Sequence, residues 1–224
     1  DEAALRAADA VLDAERHRSG EPALTEPLLA RELAETLPGG SLLWAGNSMS
    51  VRDLDTQLRP RADLTVAASR GASGIDGTTS TAAGAALAHT AAGGGGTFAL
   101  IGDLAFVHDA PGLAIGPAEP RPDLCLIVVN NDGGGIFGTL EPASFPSFER
   151  VFGTPHRADL ERLAATFGVP YTLVTSPEGL VKALHDDGPP GGGLRCVEAR
   201  TDRTANASLR SRLRAAAVAA VSRA

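Results

Sequence analysis

Two stretches decide the fold: Thr97-Phe98-Ala99-Leu100-Ile101-Gly102-Asp103 and Leu124-Cys125-Leu126-Ile127-Val128-Val129-Asn130-Asn131. Each is a short apolar run that breaks abruptly into small polar or acidic residues, as a strand buried on both faces does when it reaches a surface. Working outward, residues 41–45, 64–68, 171–174 and 194–199 read the same way, with helical stretches between and after them. Taken with residues 97–101 and 124–129, they predict an α/β domain: a parallel sheet of about six strands with helices on both faces. Ligands on such sheets sit beyond the carboxyl ends of the strands, so the informative residues are those that follow each run.

Those ends read Gly46-Asn47-Ser48, then Ser69-Arg70-Gly71-Ala72-Ser73-Gly74-Ile75-Asp76-Gly77, then Gly102-Asp103-Leu104, then Asn130-Asn131-Asp132-Gly133-Gly134-Gly135. Asp103 and Asn131 lie 28 positions apart, room for one crossover and one strand, so the pair is expected to converge in space. A carboxylate, an amide oxygen and a backbone carbonyl from the glycine turn suit a hard cation such as Mg²⁺, whose remaining ligands would be water and phosphate oxygens. Glycine beside each ligand lets backbone N–H groups approach those phosphates. Taken singly, Asp103 reads rather as a helix cap and Asn131 as a residue tolerating a left-handed turn. Their position at adjacent strand ends is what favours a site. Gly71, Gly74 and Gly77 follow GxxGxxG, not GxGxxG, and no GxxxxGK[ST] occurs, so the dinucleotide and P-loop fingerprints are both missing. The runs 93–96 and 191–193 precede strands, on the opposite edge, and read as turns.

Upstream, residues 1–20 form a charged, Ala-rich helix that reads as a linker from a missing upstream region, and residues 21–224 as the domain itself. Thr25 reads as the N-cap of the next helix, with Pro27 in its first turn. Among 224 residues, a net charge of -7 gives no attraction to nucleic acid or an anionic membrane. No apolar stretch approaches membrane-spanning length, which predicts a soluble, cytoplasmic protein. The two cysteines, Cys125 and Cys196, fall inside strand-like runs and read as packed free thiols of a reducing compartment. The five histidines show no metal-ligand spacing. None is assigned to catalysis; His156 reads as a loop support and His108-Asp109 as a satisfied helix pair.

The order Gly102-Asp103 followed by Asn130-Asn131 resembles the metal and diphosphate motif of thiamine-diphosphate enzymes, with Leu104 where most of them carry a second glycine. Gly46 to Asp53, Ser69 to Gly77, Gly102 to Leu104, Val128 to Phe137 and Phe148 to His156 together resemble one branch. That branch is the 2-succinyl-5-enolpyruvyl-6-hydroxy-3-cyclohexene-1-carboxylate synthase family of menaquinone biosynthesis, and the likeness covers its carboxyl-terminal domain only.

The resemblance implies thiamine diphosphate and Mg²⁺ or Mn²⁺ as cofactors. It implies Asp103, Asn131 and the Gly133 carbonyl as metal ligands, and Gly102, Leu104, Ala105 and Gly134 against the diphosphate. Ile75 would be the apolar wedge beneath the cofactor. Ser48, Arg52 and Arg70 would hold substrate carboxylates, and Ile136, Phe137 and Leu140 would form the pocket wall. The implied reaction is a transfer: 2-oxoglutarate is decarboxylated and the succinyl-semialdehyde carbanion equivalent is added to isochorismate. Both substrates are dicarboxylates, which suits arginine's bidentate, permanently charged fork. The activating acid would belong to the pyrimidine-binding domain of a partner subunit in a homo-oligomer, so the chain alone is expected to be inactive. The segment 138–157 reads as a lid that excludes water. Two other readings stand: the diphosphate domain of another 2-oxo-acid decarboxylase or acetolactate-type synthase, and a non-catalytic cofactor-binding or interaction module.

Overall fold

The computed structural model describes residues 2–17, 23–69, 71, 73–186, 188–189 and 192–223. Six strands form one parallel sheet: β1 Leu42–Ala45, β2 Thr65–Ala68, β3 Thr97–Gly102, β4 Leu124–Asn130, β5 Tyr171–Val174 and β6 Leu194–Arg200, in the order β2-β1-β3-β4-β6-β5. The strands lie where the apolar runs predict, within a residue at each end. Chain direction across the sheet reverses between β1 and β3, creating the crevice at which such sheets take ligands.

Alternation along the strands divides the core in two. Leu43, Ala45, Leu100, Ile127 and Val129 face one layer with Leu29, Leu33, Leu54 and Leu180, which come from α2 Glu26–Thr36, α3 Met49–Gln57 and α7 Pro177–Leu184. Trp44, Ala99, Ile101, Leu126 and Val128 face the other with Ala82, Ala86, Phe106 and Ala164, from α4 Thr78–Ala91, α5 Asp103–His108 and α6 Leu160–Thr166. The central strands are covered on both faces, whereas the edge strands β2 and β5 leave Val66 and Leu173 exposed.

The first helix, α1 Glu2–Arg16, packs on the last, α8 Arg203–Val221, through Leu12 against Leu209 and Leu213. Thr25 precedes α2 in extended conformation, but its buried hydroxyl makes no cap bond and has no partner among the described residues. The open end of α2 is served from far along the chain instead, the Glu26 N–H donating to Asn206 Oδ1 at 2.9 Å. The expected side-chain cap is therefore replaced by a tertiary one, which no local pattern announces.

Candidate functional site

Each strand end contributes a different kind of group. After β1 the chain turns through Ser48, held at φ 66 and ψ -129, a region where a residue with a Cβ is strained by about 1–3 kcal/mol. Arg52, one turn into α3, donates from Nη1 to the Ser48 carbonyl at 2.6 Å, and the Asn47 amide donates to the Gly74 carbonyl at 2.6 Å. Two side chains thus tie the turn down from either side.

After β3, Asp103 opens α5 and is 2% exposed. Its Oδ1 accepts from the Leu104 N–H at 2.7 Å, and its Oδ2 accepts from the N–H groups of Gly133 at 2.9 Å and Asn131 at 3.2 Å. His156 Nε2 stands 3.2 Å from the same oxygen. Burial raises the Asp103 pKa above the usual carboxylate range, opposed by the Gly133 and Leu104 N–H groups and by His156. Desolvation wins even against these bonds, so the carboxylate is a place where added positive charge is favoured.

After β4, Asn131 donates from Nδ2 to Glu26 Oε1 at 2.6 Å. Its other amide atom, Oδ1, is buried and has no hydrogen-bond partner among the described residues. The glycine turn that follows is sterically compulsory: a Cβ on Gly133, at φ 130, would stand 1.9 Å from the Gly153 carbonyl oxygen, and one on Gly134 would stand 2.2 Å from that of Phe152. Asp132 and Thr154 also hold positive φ. Residues 135–153 continue as 3₁₀ and π-type turns gathered round Phe152, whose ring meets those of Phe137, Phe145 and Phe148.

These ends enclose a cavity of about 510 Å³. Ser48, Arg52, Ile75, Gly102, Asp103, Leu104, Ala105, Asn131, Gly133, Gly134, Ile136 and Phe137 all line it. Leu140 does not; it is 51% exposed beyond the 3₁₀ turn that ends at Thr139. Arg70 lies outside the described residues. A Cβ on Gly102 would meet nothing within 4 Å among the described residues, which leave open space at this strand end beside Asp103. Among the described residues no group of three or more His, Cys, Asp or Glu could hold a metal. One carboxylate beside an orphaned amide oxygen, with backbone N–H groups and open space at a glycine, fits a cation that draws its other ligands from phosphate.

Glu26 and Asp53 also line the cavity and were not singled out as site residues by sequence reasoning. Glu26 is 4% and Asp53 4% exposed, and Arg210 of α8 is paired to both carboxylates. Burial pushes Asp53 up to about 6, against the pull of Arg210. An acidic residue in the first turn of α2 is what a helix dipole favours anyway, so Glu26 carries no distinguishing local signal. His108 is exposed, and its neighbour Asp109 accepts from Ser80 N–H and Oγ, not from the histidine.

A second groove of about 600 Å³ is lined by Asn130, Asn131 and Asp132. Its charges are largely engaged within the protein: Arg200 pairs with Glu198, Arg203 with Glu149, and Asp202 caps α8 through the Ala205 N–H. Asp132 accepts from the N–H groups of Arg157 and His156, which hold its carboxyl below the usual range. The first cavity, which alone takes in Asp103 with Gly102, Gly133 and Gly134, is the better candidate.

Cys125 and Cys196 are free and buried, and burial pushes the Cys125 thiol up to about 12. Among the described residues no helix is long and apolar enough to cross a membrane.

Comparison with known proteins gives this geometry a class. Residues 47–197 match the family described as "Thiamine pyrophosphate enzyme, C-terminal TPP binding domain", and the chain belongs to that family. It is 60% identical over 88% of its length to the 2-succinyl-5-enolpyruvyl-6-hydroxy-3-cyclohexene-1-carboxylate synthase of Thermobifida fusca (strain YX), covering 35% of that protein. To the synthase of the same name from Saccharopolyspora erythraea it is 46% identical over 96% of its length, covering 37%. The chain therefore spans little more than a third of the length of the curated relatives it matches. A solved structure described as "X-ray structure of a putative thiamin diphosphate-dependent enzyme isolated from Mycobacterium smegmatis" superimposes with a TM-score of 0.60 at 21% identity, over 80% of this chain and 32% of that one. At that identity the likeness speaks for the fold.

Proposed function

We propose that the chain is the diphosphate-binding part of a transferase that decarboxylates 2-oxoglutarate and adds the remainder to isochorismate. The observation that carries the reading is Asn131, whose buried Oδ1 has no partner among the described residues and whose N–H donates to Asp103 Oδ2, in a cavity lined also by Asp103 and Arg52. Bound thiamine diphosphate supplies the electron sink for decarboxylation and for the new carbon–carbon bond. Asp103, Asn131 and the Gly133 carbonyl hold Mg²⁺ or Mn²⁺, and Gly102, Leu104, Ala105 and Gly134 lie against the diphosphate. Ile75 supports the cofactor from below, Ser48, Arg52 and Arg70 hold carboxylates, and Ile136 and Phe137 wall the pocket, with Leu140 outside the lining in this structure.

The remaining half of the centre comes from a pyrimidine-binding domain of a partner subunit in a homo-oligomer. In favour of such a cover, Ile75 and Phe137 are 39% and 36% exposed while lining the cavity, and Leu140, Phe145 and Val151 extend the apolar surface along residues 135–153. Exposed apolar side chains gathered along one segment suit a covered interface. Residues 1–20 act as the link from the upstream region, segment 138–157 as the lid, and the two buried free thiols suit the cytoplasm.

The test supplies the upstream region and measures turnover of 2-oxoglutarate with isochorismate. Product with the assembled protein and none from this chain alone supports the reading. Turnover of pyruvate in place of 2-oxoglutarate would move the chain to another 2-oxo-acid enzyme, and failure to bind thiamine diphosphate would remove the enzyme reading altogether.

A further inference from the structure

An amide ligand has a problem that a carboxylate lacks. Rotated by half a turn about its last bond, Asn131 would offer a cation the hydrogens of its NH₂ group instead of its oxygen. Something must choose between two shapes that are nearly identical.

The neighbour able to choose is Glu26. Its Oε1 accepts from Asn131 Nδ2 at 2.6 Å, Asn206 Nδ2 at 2.8 Å and Thr201 Oγ1 at 3.2 Å, and its Oε2 accepts from Arg210. A carboxylate oxygen can only accept at these positions, so an Asn131 amide turned the other way would set two acceptors against each other in a buried site. The cost is that of an unmet buried polar group plus the repulsion of a charge. Glu26 itself is held on all sides: its own N–H donates to Asn206 Oδ1 at 2.9 Å, and Arg210, shared with Asp53, balances its charge. The donors arrive from the end of β6 and from α8, the carboxyl-terminal helix, so the far end of the chain braces the first turn of α2.

We infer that Glu26 is a positioning residue for the metal site: it fixes the Asn131 amide so that Oδ1 is the atom offered to the cation. This rests on the cation reading of Asp103 and Asn131 above. Outer partners of this kind commonly change metal affinity by about tenfold to a hundredfold.

The test is Mn²⁺ affinity in the presence of thiamine diphosphate, read from the electron paramagnetic resonance of free Mn²⁺, in the chain joined to its upstream region. Thermal midpoints without metal are recorded in parallel. Glu26→Leu removes the acceptor and is expected to weaken Mn²⁺ binding by about tenfold to a hundredfold. Glu26→Gln still offers an oxygen to the same three donors and is expected to stay near wild type in affinity. Both variants lose the charge facing Arg210, so both midpoints should fall, that of Glu26→Leu further because the three donors on Oε1 are also left unmet. A purely structural role would make affinity follow the midpoint in both, and that result overturns the inference, as does wild-type affinity in Glu26→Leu. Should Glu26→Leu not fold, Glu26→Ala takes its place with the same readout, and wild-type Mn²⁺ affinity there overturns the inference alone. A wild-type protein that takes no Mn²⁺ overturns the cation reading, and the inference with it.

Discussion

The Gly133 N–H donates to the Asp103 carboxylate at 2.9 Å, pinning the turn after β4 to the start of α5 after β3. The same oxygen takes the Asn131 N–H, and the other takes that of Leu104. Asp103→Asn must therefore turn its NH₂ group toward at least one backbone donor while also losing its charge. The folded state should lose about 1–3 kcal/mol, and Mn²⁺ binding in the presence of thiamine diphosphate should weaken. Thermal unfolding and a Mn²⁺ titration check both halves. A destabilised variant with unchanged Mn²⁺ affinity would take Asp103 out of the ligand set.

Two glycines of the site separate stability from binding. Gly102 has φ -81 and ψ 160, which any residue adopts, and an added Cβ meets nothing within 4 Å. Gly133 has φ 130 and a Cβ there would collide with the Gly153 carbonyl. Gly102→Ala should keep the wild-type thermal midpoint and bind thiamine diphosphate more weakly, because the methyl fills the space left for the diphosphate. Gly133→Ala should lose at least about 2 kcal/mol of stability. Calorimetry of cofactor binding and of unfolding distinguishes them, and full cofactor affinity in Gly102→Ala would place the diphosphate elsewhere.

The contrast between these glycines and Glu26 shows what the sequence could disclose. Strands buried on both faces leave continuous apolar runs such as residues 124–129, so β4 and its neighbours are legible from composition alone. The residue after such a run is then placed by chain geometry, and that is why Asp103 and Asn131 could be paired across an interval of 28 positions. Glu26 reaches Asn131 across 105 positions and Asn206 across 180. Nothing in a periodic pattern records which loop folds back on which, and helix α2 looks ordinary from within. The insertion of β6 between β4 and β5 is hidden for the same reason. Leu140 shows the limit in reverse: it sits only three positions after a cavity residue, Phe137, yet the 3₁₀ turn carries it out to solvent.

Asp53 gives a pH signature of inverted sign. Its pKa lies at about 6 in the folded chain, raised from 3.8 chiefly by burial, with Arg210 pulling it down and Glu26 pushing it up. Between those values the folded form holds a proton that the unfolded chain has released. The contribution to stability is thus present below pH 3.8 and is lost as pH rises through about 6. A shift of that size corresponds to roughly 3 kcal/mol. Urea unfolding of wild type and Asp53→Asn, at about pH 4 and about pH 6.5, isolates this component as the difference in slope. Parallel pH dependence in the two proteins would mean that the Arg210 pair keeps Asp53 ionised throughout.

Arg52 is asked to do two things at once, and kinetics can tell them apart. One nitrogen of its fork is taken by the Ser48 carbonyl at 2.6 Å, bracing a residue held at φ 66; the residue is otherwise exposed and lines the cavity. A planar fork can brace the turn and still offer N–H groups to a carboxylate, whereas the compact ammonium of lysine cannot cover both positions. In the protein assembled with its upstream region, Arg52→Lys should raise KM for a dicarboxylate substrate by about tenfold to a hundredfold, the worth of one charge-assisted hydrogen bond. The effect on kcat should be smaller. Steady-state kinetics with each substrate varied in turn shows which carboxylate Arg52 receives. A fall in kcat with KM unchanged would assign Arg52 to the Ser48 turn alone, and carboxylate recognition would then pass to other residues of the cavity.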